Sequence, residues 1–197
     1  MKVGLFFGSF NPVHHGHLII ARHILNMEMA DEIWFVVSPQ NPFKINDRLL
    51  NEHHRYFLLQ EATEGESRFK VSNVEFKLPK PSYTIHTLAY LQEKYPSLSF
   101  SLIIGSDSFQ NISKWKNADV ILANYPLIVY KRPGFEISNT FHAKITVAEA
   151  PLLEISSTHI RNLLRSGKSI RYLVPESVRL EIENKNYYQS SLENPSQ

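Results

Sequence analysis

The apolar positions of this 197-residue chain change period along its length. Three runs are nearly continuous: "KVGLFFG" (2–8), "EIWFVVS" (32–38) and "LSFSLIIG" (98–105). Short apolar runs ended by Gly or Pro predict strands buried on both faces, as in a parallel sheet. Between the first two, Leu18, Ala21 and Leu25 fall on one helical stripe, and Ile20 and Ile24 widen it. That predicts a helix over 16–29 and a right-handed βαβ unit. A Pro/Asn-rich loop (39–50) then leads into a helix ending near Thr63, and the alternation of "FKVSNVEFKL" predicts a strand over 69–78. A helix over 82–95 is expected to be capped by Ser82 or Thr84, with Pro96 just beyond it.

Residues 107–125 read as helical with interruptions. Strands are expected at 126–132 and at 143–150, the second at a sheet edge or after a loop. Helices follow at 155–167, stopped by Gly167, and at 175–186. Strands alternating with helices predict a doubly wound, Rossmann-like α/β fold: a parallel sheet with helices on both faces and a small C-terminal helical part. No repeat or linker divides residues 1–187, which are expected to form one domain, with 188–197 a polar tail.

Composition narrows the partners. Hydrophobic residues make up 43%, enough for a core, and 21 basic against 19 acidic residues leave a net charge of only +2. That balance gives no broad electrostatic case for nucleic acid or a membrane surface. No stretch approaches the ~18 consecutive apolar residues of a membrane span. The N-terminal run is too short for a signal peptide, and there are no cysteines. A cytoplasmic protein is expected. Homo-oligomer formation stays open.

Chemistry concentrates where strands end and helices begin. In "GSFNPVHHGH", Gly8 and Gly16 let the backbone pass close to a ligand, and the helix start behind them attracts anions. His14 and His17 can project together into that cleft and donate N–H groups to phosphate. Solvated loop histidines or a chelating pair are the alternatives, but no nearby carboxylate completes a metal set. In "ISSTHIR", Ser156 and Ser157 can cap a helix, and Arg161, one turn in, leans back toward its free amides. A plain cap with a surface Arg is the rival reading. Lys44 could add a cation from the loop after the second strand, or be solvated. Arg55 is expected to make an ion pair or cover the core. Asp107, just after Gly105, suits ribose hydroxyls or a helix cap. Trp115, between Lys114 and Lys116, is a core anchor or a stacking plate.

Taken together, these segments resemble the nucleotidylyltransferase superfamily marked by HxGH and ISSTxIR, and within it the bacterial nicotinate mononucleotide adenylyltransferases. "GSFNPVHHGH", "PSYTIHTL", "IIGSDSFQNISKW", "YKRPG" and "ISSTHIRNLLRSGKSIRYLVPESV" carry the likeness, from residue 1 to about 187. Asn11 stands where many members have Asp, Ser106 replaces a common Ala, and the "PQNPFK" loop is shorter than some. The resemblance implies adenylyl transfer from ATP to nicotinate mononucleotide with Mg²⁺, and no dedicated protein metal ligand. It implies catalytic roles for His14, His17 and Arg161. It implies ATP contacts from Gly8, Ser9, Phe10, Lys44, Gly105, Asp107, Ser156, Ser157 and Thr158, and acceptor contacts from Thr84, Trp115 and Arg132. Other acceptors within the superfamily, or a non-catalytic nucleotide sensor, are the rivals. A dehydrogenase is disfavoured, because no G-x-G-x-x-G follows the first strand.

Overall fold

Strand β1 (Lys2–Gly8) lies inside the sheet because its side chains are apolar on both faces. In the computed structural model, which describes residues 1–40, 49–138, 141–151 and 153–189, Val3 and Leu5 enter one core and Phe6 the other. The same alternation sends Ile33, Phe35 and Val37 of β2 (Glu32–Val37) one way and Trp34 and Val36 the other. With β3 (Phe69–Ser72), β4 (Ser99–Gly105), β5 (Leu127–Tyr130) and β6 (Ile145–Ala148) these form a six-stranded parallel sheet. Its order is β3-β2-β1-β4-β5-β6, and β6 takes the edge.

Helices cover both faces. On one side α1 (His15–Asn26), α2 (Glu52–Thr63), α6 (Ser157–Arg165) and α7 (Glu176–Asn184) bury Ile24, Leu58, Ile160 and Val178 in one cluster. On the other, α3 (Thr84–Lys94), α4 (Ser106–Gln110) and α5 (Ala118–Asn124) bury Leu88, Phe109 and Ile121. The strand order reverses between β1 and β4, so a crevice opens at their carboxyl ends. The doubly wound reading holds.

Two local expectations fail for physical reasons. The strand predicted over 69–78 stops at Ser72, and Val74–Lys77 forms a 3-10 turn. Glu75 turns inward there and is almost fully buried against Thr87 of α3, which a flat strand would not allow. Helix α3 is capped by neither Ser82 nor Thr84; Tyr83 holds the N-cap position without a side-chain bond. The Ser82 N–H is instead spent on the Gln40 carbonyl, beyond β2. Helix α1 stops three residues early, where Glu28 takes a left-handed φ of 54°.

Arg55 overturns its expected role. It is fully buried, on the stripe of α2 that carries Leu58 and Leu59. Its guanidinium meets backbone oxygens: Nη1 donates to Ser9 O (2.5 Å) and Ser38 O (2.8 Å), Nη2 to Pro39 O (3.1 Å) and Nε to Leu50 O (2.7 Å). The loops leaving β1 and β2 are thereby tied to α2. Buried acceptors left without donors cost about 1–3 kcal/mol each. Arg55→Lys, whose compact ammonium cannot span this fork, is expected to lower unfolding free energy in urea by about 2–4 kcal/mol. A loss below about 0.5 kcal/mol, the level of an ordinary surface change, would show the clamp to be dispensable.

Candidate functional site

The segment after β1 turns sharply. Phe10 has φ 45°, and the Asn11–Pro12 peptide is cis. Phe10 is 2% exposed, and its ring packs edge-on against Phe6, Phe35 and His17. Only its backbone can face a ligand. A Cβ at Gly8 would press into that ring at 2.9 Å, so Gly8 is required by close approach.

Three elements hold this turn by its carbonyls and amides. Arg55 takes Ser9 O, as described. Arg161 of α6 donates through Nη1 to Asn11 O (2.8 Å), and Ser157 Oγ donates to Pro12 O (2.8 Å). The Leu50 N–H donates to Asn11 Oδ1 (3.1 Å), a contact the Asn supplies without any carboxylate. Arg161 also reaches Thr158 Oγ1 (3.2 Å), and Ser156 caps α6 by accepting from the His159 N–H (3.2 Å). The two motifs, 145–150 residues apart, therefore meet in one place.

At the start of α1 the two histidines stack, ring centroids 3.7 Å apart and planes 28° from parallel. The His14 N–H donates to His17 Nδ1 (3.2 Å). That bond makes Nδ1 an acceptor, so a neutral His17 carries its proton on Nε2, turned away from the backbone. His14 is 6% exposed and lies over Gly16, where a Cβ would approach its Nδ1 to 3.0 Å. Burial, then the neighbouring Arg132 and His15 charges, pull the His14 imidazole down to about 4. Ser9 Oγ is buried and makes no hydrogen bond among the described residues.

Beyond β4, a side chain at Gly105 would collide with the Asp107 carboxylate. Asp107 Oδ1 lies 3.4 Å from Arg132 Nε, and the Arg132 backbone N–H donates to Ser106 Oγ (2.9 Å). The Arg132 guanidinium sits over Tyr130, with centroid distance 5.7 Å, rather than in the cavity on the other side of β4. That cavity, about 430 Å³, is lined by Thr84, Tyr83 and Ser82 from the start of α3, by Gly8 and Gly105, and by Trp115 between Lys114 and Lys116. Trp115 lines the cavity and also packs on the α3/α5 core. Sequence reasoning missed Glu75, Ser38 and Tyr130 in this wall. Lys44 lies outside the described residues. Among the described residues no three His, Asp or Glu side chains converge as a metal cluster, and no helix is long and apolar enough to cross a membrane.

Comparison with known proteins agrees with this geometry. The chain is 51% identical over 191 residues to a "Probable nicotinate-nucleotide adenylyltransferase" of Cytophaga hutchinsonii, covering 95% of this chain and 98% of that one. It is 46% identical over 178 residues to a protein of the same name in Bacteroides fragilis, covering 90% and 89%. A Plasmodium falciparum nicotinic acid mononucleotide adenylyltransferase, solved in complex with NaAD, shares the fold with a TM-score of 0.81. Identity there is 22%, over 95% of this chain and 97% of that one. The cytidylyltransferase-like family profile matches residues 5–163, which span β1 and reach into α6. This chain belongs to the cytidylyltransferase-like family, among its nicotinate-nucleotide adenylyltransferases.

Proposed function

We infer that this protein transfers the adenylyl group of ATP to nicotinate mononucleotide, giving nicotinate adenine dinucleotide and pyrophosphate, a step of NAD biosynthesis. The observation that carries the reading is the stacked His14–His17 pair, pinned at a helix start beside a clamp made by α6, in the same turn that follows cavity-lining Gly8. No protein nucleophile is needed. The acceptor's phosphate attacks the α-phosphorus in line, and the protein contributes position and neutralisation of charge.

The residues divide the work as follows. His17 Nε2–H donates to the triphosphate where charge grows as pyrophosphate departs. His14 adds a second donor, and the N-terminal ends of α1 and α6 add their dipoles. Arg161 supports the same anion while its Nη1 keeps the Asn11 turn in place. Thr158, Ser9 and the Gly8 and Phe10 backbones border the same groove, and Ser156 and Ser157 secure its far edge. Asp107, with Gly105 beside it, accepts from the adenosine ribose hydroxyls, and Arg132 holds Asp107 in place. Thr84 and Trp115 receive the pyridine ring. The imidazole and guanidinium donors suit a triphosphate that brings its own Mg²⁺, an ion that commonly binds through substrate phosphates. When bound, that ion neutralises phosphate charge. Lys44 belongs to the reading only by its place in sequence.

His17→Ala is expected to lower kcat by roughly 100- to 1000-fold with little change in acceptor KM, the usual cost of one donor to developing charge. Pyrophosphate release at the wild-type rate would overturn the role. Trp115→Ala is expected to raise KM for nicotinate mononucleotide by roughly 10-fold and leave KM for ATP unchanged, as loss of a stacking platform does. Normal kinetics with a lower melting temperature would assign Trp115 to the core alone.

His14 also sets a pH signature. Its folded value near 4 lies below the unfolded 6.5, so between these values the unfolded chain binds more protons. Stability from this group is present above pH 6.5 and is lost as pH falls toward 4. The shift corresponds to about 3 kcal/mol. Between pH 7 and pH 4 the wild type is expected to lose about 3 kcal/mol more unfolding free energy than His14→Gln, measured by urea titration at each pH. Parallel pH profiles would show that His14 is not buried as a neutral ring.

A further inference from the structure

The cavity beside Trp115 carries one carboxyl that the reaction, as described, leaves unused. Glu75, on the 3-10 turn after β3, is 1% exposed. Its Oε1 accepts a hydrogen bond from Thr87 Oγ1 at 2.8 Å, which fastens the turn to the first turn of α3. Its Oε2 is buried in the cavity wall with no hydrogen-bond partner among the described residues. Ser82, 8% exposed, lines the same wall, and its Oγ is likewise unpartnered. Ser38 completes a ring of hydroxyls around the carboxyl.

None of these immediate neighbours is a cation. The two lysines of the cavity are exposed at its rim, Lys114 bonded to Asn111 and Lys116 over the Tyr83 ring. Among the described residues nothing would compensate an ionised carboxylate sealed in this wall, a situation proteins avoid by neutralising the group. A neutral acid fits the contacts: its carbonyl oxygen accepts from Thr87, and its O–H remains as a donor on the cavity side. In keeping with this, burial pushes the Glu75 carboxyl above the usual range.

We propose that Glu75 is a specificity-determining residue of the acceptor cavity, its Oε2–H and the Ser82 hydroxyl donating to the carboxylate carried by the pyridine ring. The proposal rests on the adenylyl-transfer reading above. A carboxylate accepts from both donors at once. A carboxamide offers one acceptor oxygen, so its NH₂ must either face the Glu75 Oε2–H, donor against donor, or turn the Ser82 hydroxyl round as an acceptor and give up that donation. Discrimination then comes from buried hydrogen-bond polarity rather than from a cation.

The test is steady-state pyrophosphate release with ATP and either nicotinate or nicotinamide mononucleotide, for wild type, Glu75→Gln and Glu75→Ala. Gln keeps a carbonyl for Thr87 and an N–H for the cavity, so its acid-to-amide ratio of kcat/KM is expected within about 3-fold of wild type. Ala is expected to lower that ratio by roughly 10-fold or more, through KM for nicotinate mononucleotide, with KM for ATP unchanged. A ratio that rises in Glu75→Gln would show a charged carboxylate opposing the acid, and would overturn the proposal. Equal ratios in all three proteins would overturn it as well. If the Ala variant does not fold, Glu75→Met makes the same comparison with the volume kept. Adenylyl transfer to neither mononucleotide by the wild type would instead overturn the reaction itself, a result distinct from any change of ratio.

Discussion

The buried Arg55 guanidinium is the constraint on which the site depends. The carboxyl ends of two parallel strands must open apart to admit a ligand, and their departing loops then leave carbonyls without ladder partners. Arg55 gathers four of these oxygens from Ser9, Ser38, Pro39 and Leu50 onto one planar fork. Its burial pulls the guanidinium down from its ordinary value, yet an Arg keeps its proton in proteins, so the fork stays fully donating. With Ser9 fixed from α2 and Asn11 and Pro12 fixed from α6, the turn carrying His14 has little freedom left. The cost of ordering it falls on folding and not on each encounter with substrate.

The two substrates meet across the reversal between β1 and β4. On one side lie amides, hydroxyls and imidazoles suited to phosphate. On the other lies a cavity whose wall is largely aromatic and aliphatic, with a few hydroxyls. Between them stand Gly8 and Gly105, small enough to leave the floor open. Burial keeps His14 without net charge near neutral pH, so on the proposed reading the field facing the triphosphate comes from Arg161 and oriented dipoles. Such a site is already arranged for the charge that appears later in the reaction.

Much of this was legible in the residues. The runs at 2–8, 32–38 and 98–105 read as buried strands because both faces of a parallel sheet are covered, and that placed GSFNPVHHGH and ISSTHIR at strand ends. What escaped was set by tertiary contact. "FKVSNVEFKL" alternates like a strand through Leu78, but Glu75 finds Thr87 and bends the backbone after Ser72. Nothing in that alternation distinguishes Glu75 from a solvated carboxylate. Arg55 did leave a trace: it occupies the core stripe with Leu58 and Leu59, where a cation must have buried acceptors. Ser82 looked like a helix cap, but α3 starts one residue too late for it: Tyr83 takes the N-cap position.

The clamp from α6 onto the β1 turn also bears on synthesis. Asn11 and Arg161 are 150 residues apart, and Pro12 and Ser157 are 145 apart. A ribosome has released the glycine-rich turn long before it adds the helix that fixes the turn's carbonyls. Contacts of such sequence separation close late in folding, because a long loop of chain must first be ordered. A chain that stops before α6 therefore carries the histidines without the contacts that hold their turn. The turn gains those partners only once α6 has been made and has docked.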